Sequence, residues 1–259
     1  MTEATLAGRT AIVTGGAGGI GGGVTAALAD AGATVICVDL QEPTPHRRVV
    51  PIVADIRDPA TVRRTADQAG AVDILVNNVG DYRPAGYFAR TTEAEWQQLY
   101  AINLEHVFRM THAVLPNMRA QHRGAIVNVS TIEVYRGIPG NAVYSAFKAG
   151  VSAFTKSLAV ELAPDNIRVN AIAPDLADTE QTPAEMMLRG RDPGLIPSWV
   201  PLGRFGQPDD YAEVVLFLVS DASRFVTGQT IPVDGGTLAA SGWYRRADGH
   251  GWTNLPDSP

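Results

Sequence analysis

The chain holds one cysteine, Cys37, so no intrachain disulfide can brace it, and a reducing compartment is expected. Histidine is also scarce. His46, His106, His112, His122 and His250 form no ligand-spaced cluster, so no metal site is expected. Basic residues are not in excess, and the formal net charge of −6 argues against nucleic acid or an anionic membrane as the main partner. No stretch approaches the roughly 18 uncharged apolar residues that a membrane span needs. Near the start, Glu3 stands where a signal peptide requires basic residues, so a cytoplasmic location is expected.

What is present suits one cored α/β domain spanning residues 1–259, of which 45% are hydrophobic. Seven short runs rich in β-branched residues read as strands: 10–14, 34–39, 49–53, 74–77, 125–129, 168–172 and 230–233. Helix-length segments lie between them, among them 59–69, 93–118, 144–163 and 208–220. This alternation predicts a Rossmann-type, doubly wound fold, a seven-stranded parallel sheet with helices on both faces. Two stretches break the rhythm. Residues 175–207, rich in Pro, Gly and Met, follow the sixth strand, where ligand loops gather, and are expected to form a substrate lid. The tail 237–259, with Trp243 and Trp252, is expected to fold over a substrate pocket, its own or a neighbour's.

The segment Thr14–Gly21 follows the first strand and precedes a helix expected to begin near Gly22. Glycines there permit positive φ and let the backbone approach a pyrophosphate, which the amides at the helix start would face. Two registers fit, Gly16/Gly18/Gly21 and Gly15/Gly19/Gly21. Eighteen residues beyond Gly21, at the end of the second strand, comes Asp39. Its carboxylate could accept both ribose hydroxyls of an adenosine and would repel a 2′-phosphate. Leu40 follows, and the glycine loop has no Arg or Lys, so NAD is the expected cofactor rather than NADP. No Gly-Lys-Ser/Thr follows the loop, which excludes a P-loop nucleotidase.

Tyr144 and Lys148 are spaced i and i+4, one turn apart on one helix face. A nearby ammonium is expected to bring the phenol, with its usual pKa near 10, toward a working range.

Taken in order, Thr14-Gly15 through Gly19-Ile20-Gly21, Asn77-Asn78-Val79-Gly80, Asn103, Ser130-Thr131 and Tyr144 to Lys148 resemble the compact, single-domain branch of the short-chain dehydrogenase/reductase family. The resemblance covers about residues 7–236 and implies hydride transfer between a nicotinamide cofactor and an alcohol/ketone substrate. It implies Tyr144 as general acid/base and Lys148 as the group that lowers its pKa and binds the nicotinamide ribose. Asn103 would hold a water linking Lys148 to solvent, and Thr131, where the family usually has serine, would donate to the substrate oxygen. Ser130 is the competing donor, but strand alternation should point it the other way. The cofactor would be bound by Gly15, Gly19, Ile20, Gly21 and Asp39, by the adenine-contacting pair Asp55 and Ile56, by Asn78 and Gly80, and by Ile172 beside the nicotinamide amide. A homotetramer (or homodimer) is implied, built on the helices from Glu93 and Tyr144, where Ala149, Gly150, Ala153 and Ala159 allow close approach.

Departures from the family pattern are Thr131 for serine, Phe147 before the lysine, and Asp175 where a glycine usually begins the lid. Candidate pocket residues are Glu133, Tyr135, Arg136, Ile138, Asp81, Tyr82 and Arg83, with Met186, Met187 and Trp199 from the lid. Arg83 or Arg136 could pair with an anionic substrate group. Two alternatives remain, a reductase of carrier-tethered 3-oxoacyl chains and a non-catalytic NAD-sensing protein. The first usually goes with NADPH and a basic docking patch, and the second typically loses the tyrosine or lysine.

Overall fold

The computed structural model describes residues 6–242, 244–246 and 250–253. Seven strands, β1 (Thr10–Thr14), β2 (Thr34–Asp39), β3 (Val49–Val53), β4 (Ile74–Asn77), β5 (Gly124–Val129), β6 (Ile167–Pro174) and β7 (Thr230–Val233), form one sheet in the order β3-β2-β1-β4-β5-β6-β7. All six pairings are parallel. Order reverses between β1 and β4, so a crevice opens beyond their carboxyl ends, where ligands of such sheets bind.

Alternation along the central strands divides the core in two. Val13, Val76 and Val127 pack with Val24, Leu28, Val215 and Leu218 from α1 (Gly19–Asp30) and α8 (Pro208–Val219). Their neighbours Ile12, Leu75 and Ile126 face the other way, into Met110, Val114, Leu158 and Leu162. Those four come from α4 (His106–Gln121) and α5 (Ala142–Leu162), which cover that face together with α2 (Pro59–Ala69) and α3 (Glu93–Tyr100). Truncating a wholly buried member such as Leu75 or Met110 to alanine would cost about 2–5 kcal/mol.

Several boundaries differ from expectation. The first helix begins at Gly19, not near Gly22. Its glycines are sites of close approach: a Cβ on Gly23 would lie 2.9 Å from Pro208 Cβ, at the seam between α1 and α8. The segment expected as one helix from Glu93 is interrupted by a π turn, Ala101–Glu105, between α3 and α4. Ala159, expected at a subunit interface, belongs to the core, while Ala149 and Ala153 are exposed.

Residues 175–207 carry two short helices, α6 (Ala184–Leu188) and α7 (Ile196–Trp199). A two-strand hairpin, β8 (Tyr244–Arg245) with β9 (Trp252–Thr253), follows. Trp243 lies outside the described residues, as does the side chain of Trp252. Among the described residues no helix is long and apolar enough to cross a membrane, and no group of His, Cys, Asp and Glu could hold a metal ion.

Candidate active site

A cleft of about 1840 Å³ lies beyond the carboxyl ends of β1, β2, β4, β5 and β6, roofed by the lid and reached by Tyr244 and Arg246 of the tail. At its floor is the glycine loop. Gly15 and Gly19 adopt φ of +64° and +52°, the left-handed region that favours glycine. A Cβ on Gly21 would fall 1.9 Å from the Gly15 carbonyl oxygen, so the chain could not turn there with any side chain. Of the two registers, Gly15/Gly19/Gly21 is therefore the one that combines positive φ with close approach. Gly16 is also tightly packed, against Thr25 and Cys37, whereas Gly18 has room for a Cβ. Gly15, Gly19 and Ile20 line the cleft, while Gly21 lies within α1 beneath the loop.

The loop is braced from both sides. Asp39 Oδ2 accepts from Ala17 N at 2.9 Å and Oδ1 from Gln41 N at 3.1 Å, so the carboxylate stands at the cleft wall beside the loop. Asn78 Nδ2 donates to the Gly15 carbonyl at 2.9 Å, and Asn78 N donates to Thr14 Oγ1 at 3.0 Å. Asp55 and Ile56 line the same wall. The Asp55 carboxylate is forked by Arg57, with contacts of 2.6 to 3.0 Å, and that guanidinium holds its pKa below the usual carboxylate range.

One contact had no signal in the sequence. Glu180, from the lid, accepts from Gly19 N at 2.9 Å, placing a carboxylate on the first amide of α1. Next to it, Gln181 Nε2 donates to the Gly80 carbonyl at 3.1 Å. These two side chains lie over the surface that the sequence assigns to a pyrophosphate and its neighbouring ribose. The partners are 161 and 101 residues apart, so no local pattern could reveal them.

Tyr144 and Lys148 rise from the first two turns of α5 into the cleft. Lys148 is 3% exposed, and its Nζ donates to the Val129 carbonyl at 2.9 Å and lies 5.9 Å from the Tyr144 ring centroid. Burial lowers its pKa to about 8. Gly80 makes this seat possible, because a Cβ there would meet Lys148 Nζ at 2.6 Å and Asn103 Oδ1 at 3.0 Å. The Tyr144 hydroxyl is near enough to Thr131 for that side chain to act on its titration. Its pKa is raised, first by burial and then by the Glu133 carboxylate, with only Thr131 opposing them. Lys148, expected to draw the phenol down, turns its ammonium onto the Val129 carbonyl and is not among the groups that shift the phenol here.

Ser130 points away from the phenol, as alternation requires, with Oγ bonded to the Lys148 carbonyl at 3.2 Å and Ser152 Oγ at 2.8 Å. Asn103 sits wholly buried in the π turn, behind Gly80. Its Nδ2 donates to the carbonyls of Asp81 and Leu99 at 2.8 and 2.9 Å, and its Oδ1 accepts from Asp81 N at 3.1 Å. The side chain thus staples the loop after β4 to the α3–α4 junction. Ile172 is separated from the cleft. It is fully buried in the core under α1 and α8, and Pro174, two residues on at the end of β6, is what reaches the cleft wall.

His106 was not anticipated as a site residue. Its Nε2 lies 3.1 Å from the Val79 carbonyl and 2.9 Å from that of Ile102, joining the Asn77–Gly80 turn to the π turn. Burial and the nearby Lys148 depress its pKa to about 4, so it is neutral at physiological pH. Its spacing from Asn103 and Met110, i, i+3 and i+7, put it on the buried stripe and was the available clue.

Both arginines considered for a substrate anion are engaged internally. Arg83 forks onto Asp81, with its shortest contact at 2.7 Å, and Arg136 reaches Asp175 at 2.5 Å. Asp175 also accepts from Thr237 Oγ1 at 2.6 Å, and its carbonyl accepts from Tyr211 at 2.8 Å. The residue in place of the usual glycine therefore ties the lid base to the segments after β5 and β7.

Residues 15–237 match a family model described as "Enoyl-(Acyl carrier protein) reductase". A 3-oxoacyl-[acyl-carrier-protein] reductase of Thermotoga maritima is 40% identical over 247 residues, covering 90% of this chain and 99% of that protein. The structure of a 3-ketoacyl-(acyl-carrier-protein) reductase from Brucella melitensis, solved with NADH, superposes with a TM-score of 0.81 at 31% identity, covering 90% of this chain and 100% of that one. Levodione reductase gives a TM-score of 0.81 at 32% identity, covering 90% and 99%. The chain belongs to the short-chain dehydrogenase/reductase family and is an oxidoreductase acting on a CH–OH/C=O pair with a nicotinamide cofactor.

Proposed function

We propose that this enzyme uses NAD(H) to interconvert a secondary alcohol and a ketone, with Tyr144 as the proton-exchanging group. The observation that carries the cofactor choice is Asp39. Its carboxylate stands beside the glycine loop on backbone donors alone, and Arg57 on the same wall is committed to Asp55. A ribose with free hydroxyls finds an acceptor there, and a 2′-phosphate finds a negative charge without a cation. Gly15, Gly19 and Ile20 would face the pyrophosphate, Asp55 and Ile56 the adenine, and Asn78, Gly80 and Lys148 the nicotinamide ribose. The bound nicotinamide supplies or takes up the hydride.

In the reducing direction Tyr144, protonated at neutral pH, donates its proton to the carbonyl oxygen while Thr131 orients that oxygen. Lys148, with a pKa near 8, then returns a proton toward the phenolate. Asn103 holds the loop that seats Lys148 and lines the water path to it. This reading includes a small-molecule substrate, a homotetramer (or homodimer) and a cytoplasmic location.

A second reading, reduction of a 3-oxoacyl thioester, draws on the names of the relatives. Turnover with NADH and NADPH side by side, on secondary alcohols, ketones and an acetoacetyl thioester, tests both. Under the first reading NADH is preferred, simple ketones are reduced, and Tyr144→Phe loses roughly 10²- to 10⁴-fold in kcat while still binding NADH. NADPH preference with activity confined to the thioester would overturn it in favour of the second.

A further inference from the structure

Glu133 is a carboxylate in the cleft wall with no described cation to neutralise it. It sits in the short turn Ile132–Val134 directly after Thr131 and lines the cleft with Thr131, Ile138, Asn141 and Tyr144. Two neutral donors hold it from α5 and its N-terminal edge: Asn141 Nδ2 reaches Oε1 at 2.9 Å and Ser145 Oγ reaches Oε2 at 2.6 Å. The nearest arginine in sequence, Arg136, is committed to Asp175, and Arg83 across the cleft to Asp81. One donor on each oxygen leaves acceptor positions on both, since a carboxylate accepts about four hydrogen bonds. The side chain is close enough to Tyr144 for its charge to act on the phenol. Acid–base chemistry on a ketone needs no second carboxylate here, and the fold does not need one either, because a glutamine would satisfy Asn141 and Ser145.

We propose that Glu133 determines substrate specificity, selecting ketones that carry a hydroxyl donor on the carbon beside the carbonyl and rejecting those that carry a carboxylate. The inference rests on the function proposed above and narrows its substrate class to α-hydroxyketones and the vicinal diols they yield. With the reacting carbonyl held by Tyr144 and Thr131, a substituent on the adjacent carbon lies along the wall that Glu133 occupies. A hydroxyl there makes a hydrogen bond to a charged acceptor, the stronger class of such bonds. An anionic substituent instead meets an uncompensated negative charge in a cleft partly sheltered from water.

The test uses the full chain, wild type and Glu133→Gln, with whichever dinucleotide supports turnover, on acetoin, 2-butanone and acetoacetate. Each kcat/KM is divided by that for 2-butanone in the same variant, so changes in Tyr144 titration or cofactor affinity cancel. The acetoin ratio is expected to fall about tenfold in Glu133→Gln, and the acetoacetate ratio to rise about tenfold, each corresponding to loss of one charged interaction. Both ratios staying within threefold of wild type overturns the role of Glu133 and leaves the proposed function intact. Movement of the acetoacetate ratio alone overturns the hydroxyl recognition. If the wild type turns over none of the three with either dinucleotide, the proposed function and this inference fall together. Should Glu133→Gln fail to fold, Glu133→Asp, which withdraws the carboxylate by one methylene, is expected to lower the acetoin ratio in the same direction.

Discussion

Replacing Glu180 by glutamine should make the enzyme bind its dinucleotide more tightly. The Glu180 carboxylate accepts from Gly19 N at 2.9 Å, on the first amide of α1. An anion at a helix start gains about 0.3–1 kcal/mol when exposed, and Glu180 is exposed, so the lower half of that range applies after screening. A pyrophosphate that takes over this amide must displace the carboxylate and then remain beside it. Two unit charges about 6 Å apart in water repel by about 0.7 kcal/mol. Together these terms come to about 1 kcal/mol, a Kd for NADH roughly fivefold lower in Glu180→Gln. The assay is NADH fluorescence titration of both proteins at low and high salt. The advantage should shrink as ionic strength rises, because the Debye length falls from about 30 Å at 0.01 M to about 3 Å at 1 M. Equal or weaker affinity in Glu180→Gln at both salts would refute the reasoning.

Other perturbations test different parts of the site. Gly80→Ala puts a methyl 2.6 Å from Lys148 Nζ and should lower kcat/KM roughly 10- to 100-fold by misplacing the ammonium, so near-normal steady-state kinetics would count against that packing. Lys148→Met should abolish turnover yet stabilise the protein. With a folded pKa near 8 against 10.5 unfolded, the buried lysine costs about 3 kcal/mol below pH 8. After the lost bond to Val129 is deducted, about 2 kcal/mol of gain remains, and it should fade between pH 8 and 10.5 as the wild type recovers; thermal melts across that range decide it. His106, folded pKa about 4, binds its proton more readily when unfolded, so wild-type stability should fall as pH drops from about 6.5 toward 4. A His106→Gln variant whose melting temperature follows the same acid slope would exclude His106 as the cause.

The sheet was legible because each strand is a β-branched run closed by turn residues, and five of the seven strands have the expected limits. Parallel strands buried on both faces leave little choice of register once the helices between them are recognised. The start of α1 was not legible, since helix propensity penalises Gly19 to Gly23 and their value lies in what packs against them, Pro208 and the Gly15 carbonyl. The π turn at Asn103 adds one residue to a helical pattern that still reads as periodic, so it left no trace in spacing. The interval put Tyr144 and Lys148 on one helix face, the ordered motifs around them pointed to a site, and both side chains line the cleft. The direction of the tyrosine's titration was not legible, because it depends on burial and on Glu133, which an interval does not encode. Ile172 lies on the same face of β6 as Pro174 but one pleat deeper, where α1 and α8 cover it, and depth along a strand is not encoded in its alternation.

The lid is anchored at both ends to the same place. Asp175 is fixed by Arg136, Thr237 and Tyr211, while Ala177 pairs with Gly206, and Asp178 N donates to the Gly206 carbonyl at 2.8 Å. Residues 179–205 therefore leave and re-enter the body through one stitched neck, like a pouch with its drawstring closed. Before it re-enters, the segment is tied to the body twice more, by Arg204 on Asp210 of α8 at 2.6 Å and by Leu202 N donating to the Gly235 carbonyl at 3.1 Å. Just past this neck Glu180 and Gln181 reach Gly19 N and the Gly80 carbonyl, so a change at the neck is felt along the glycine-loop wall, whereas Met186, Met187 and Trp199, farther along the cleft lining, can change without touching either contact.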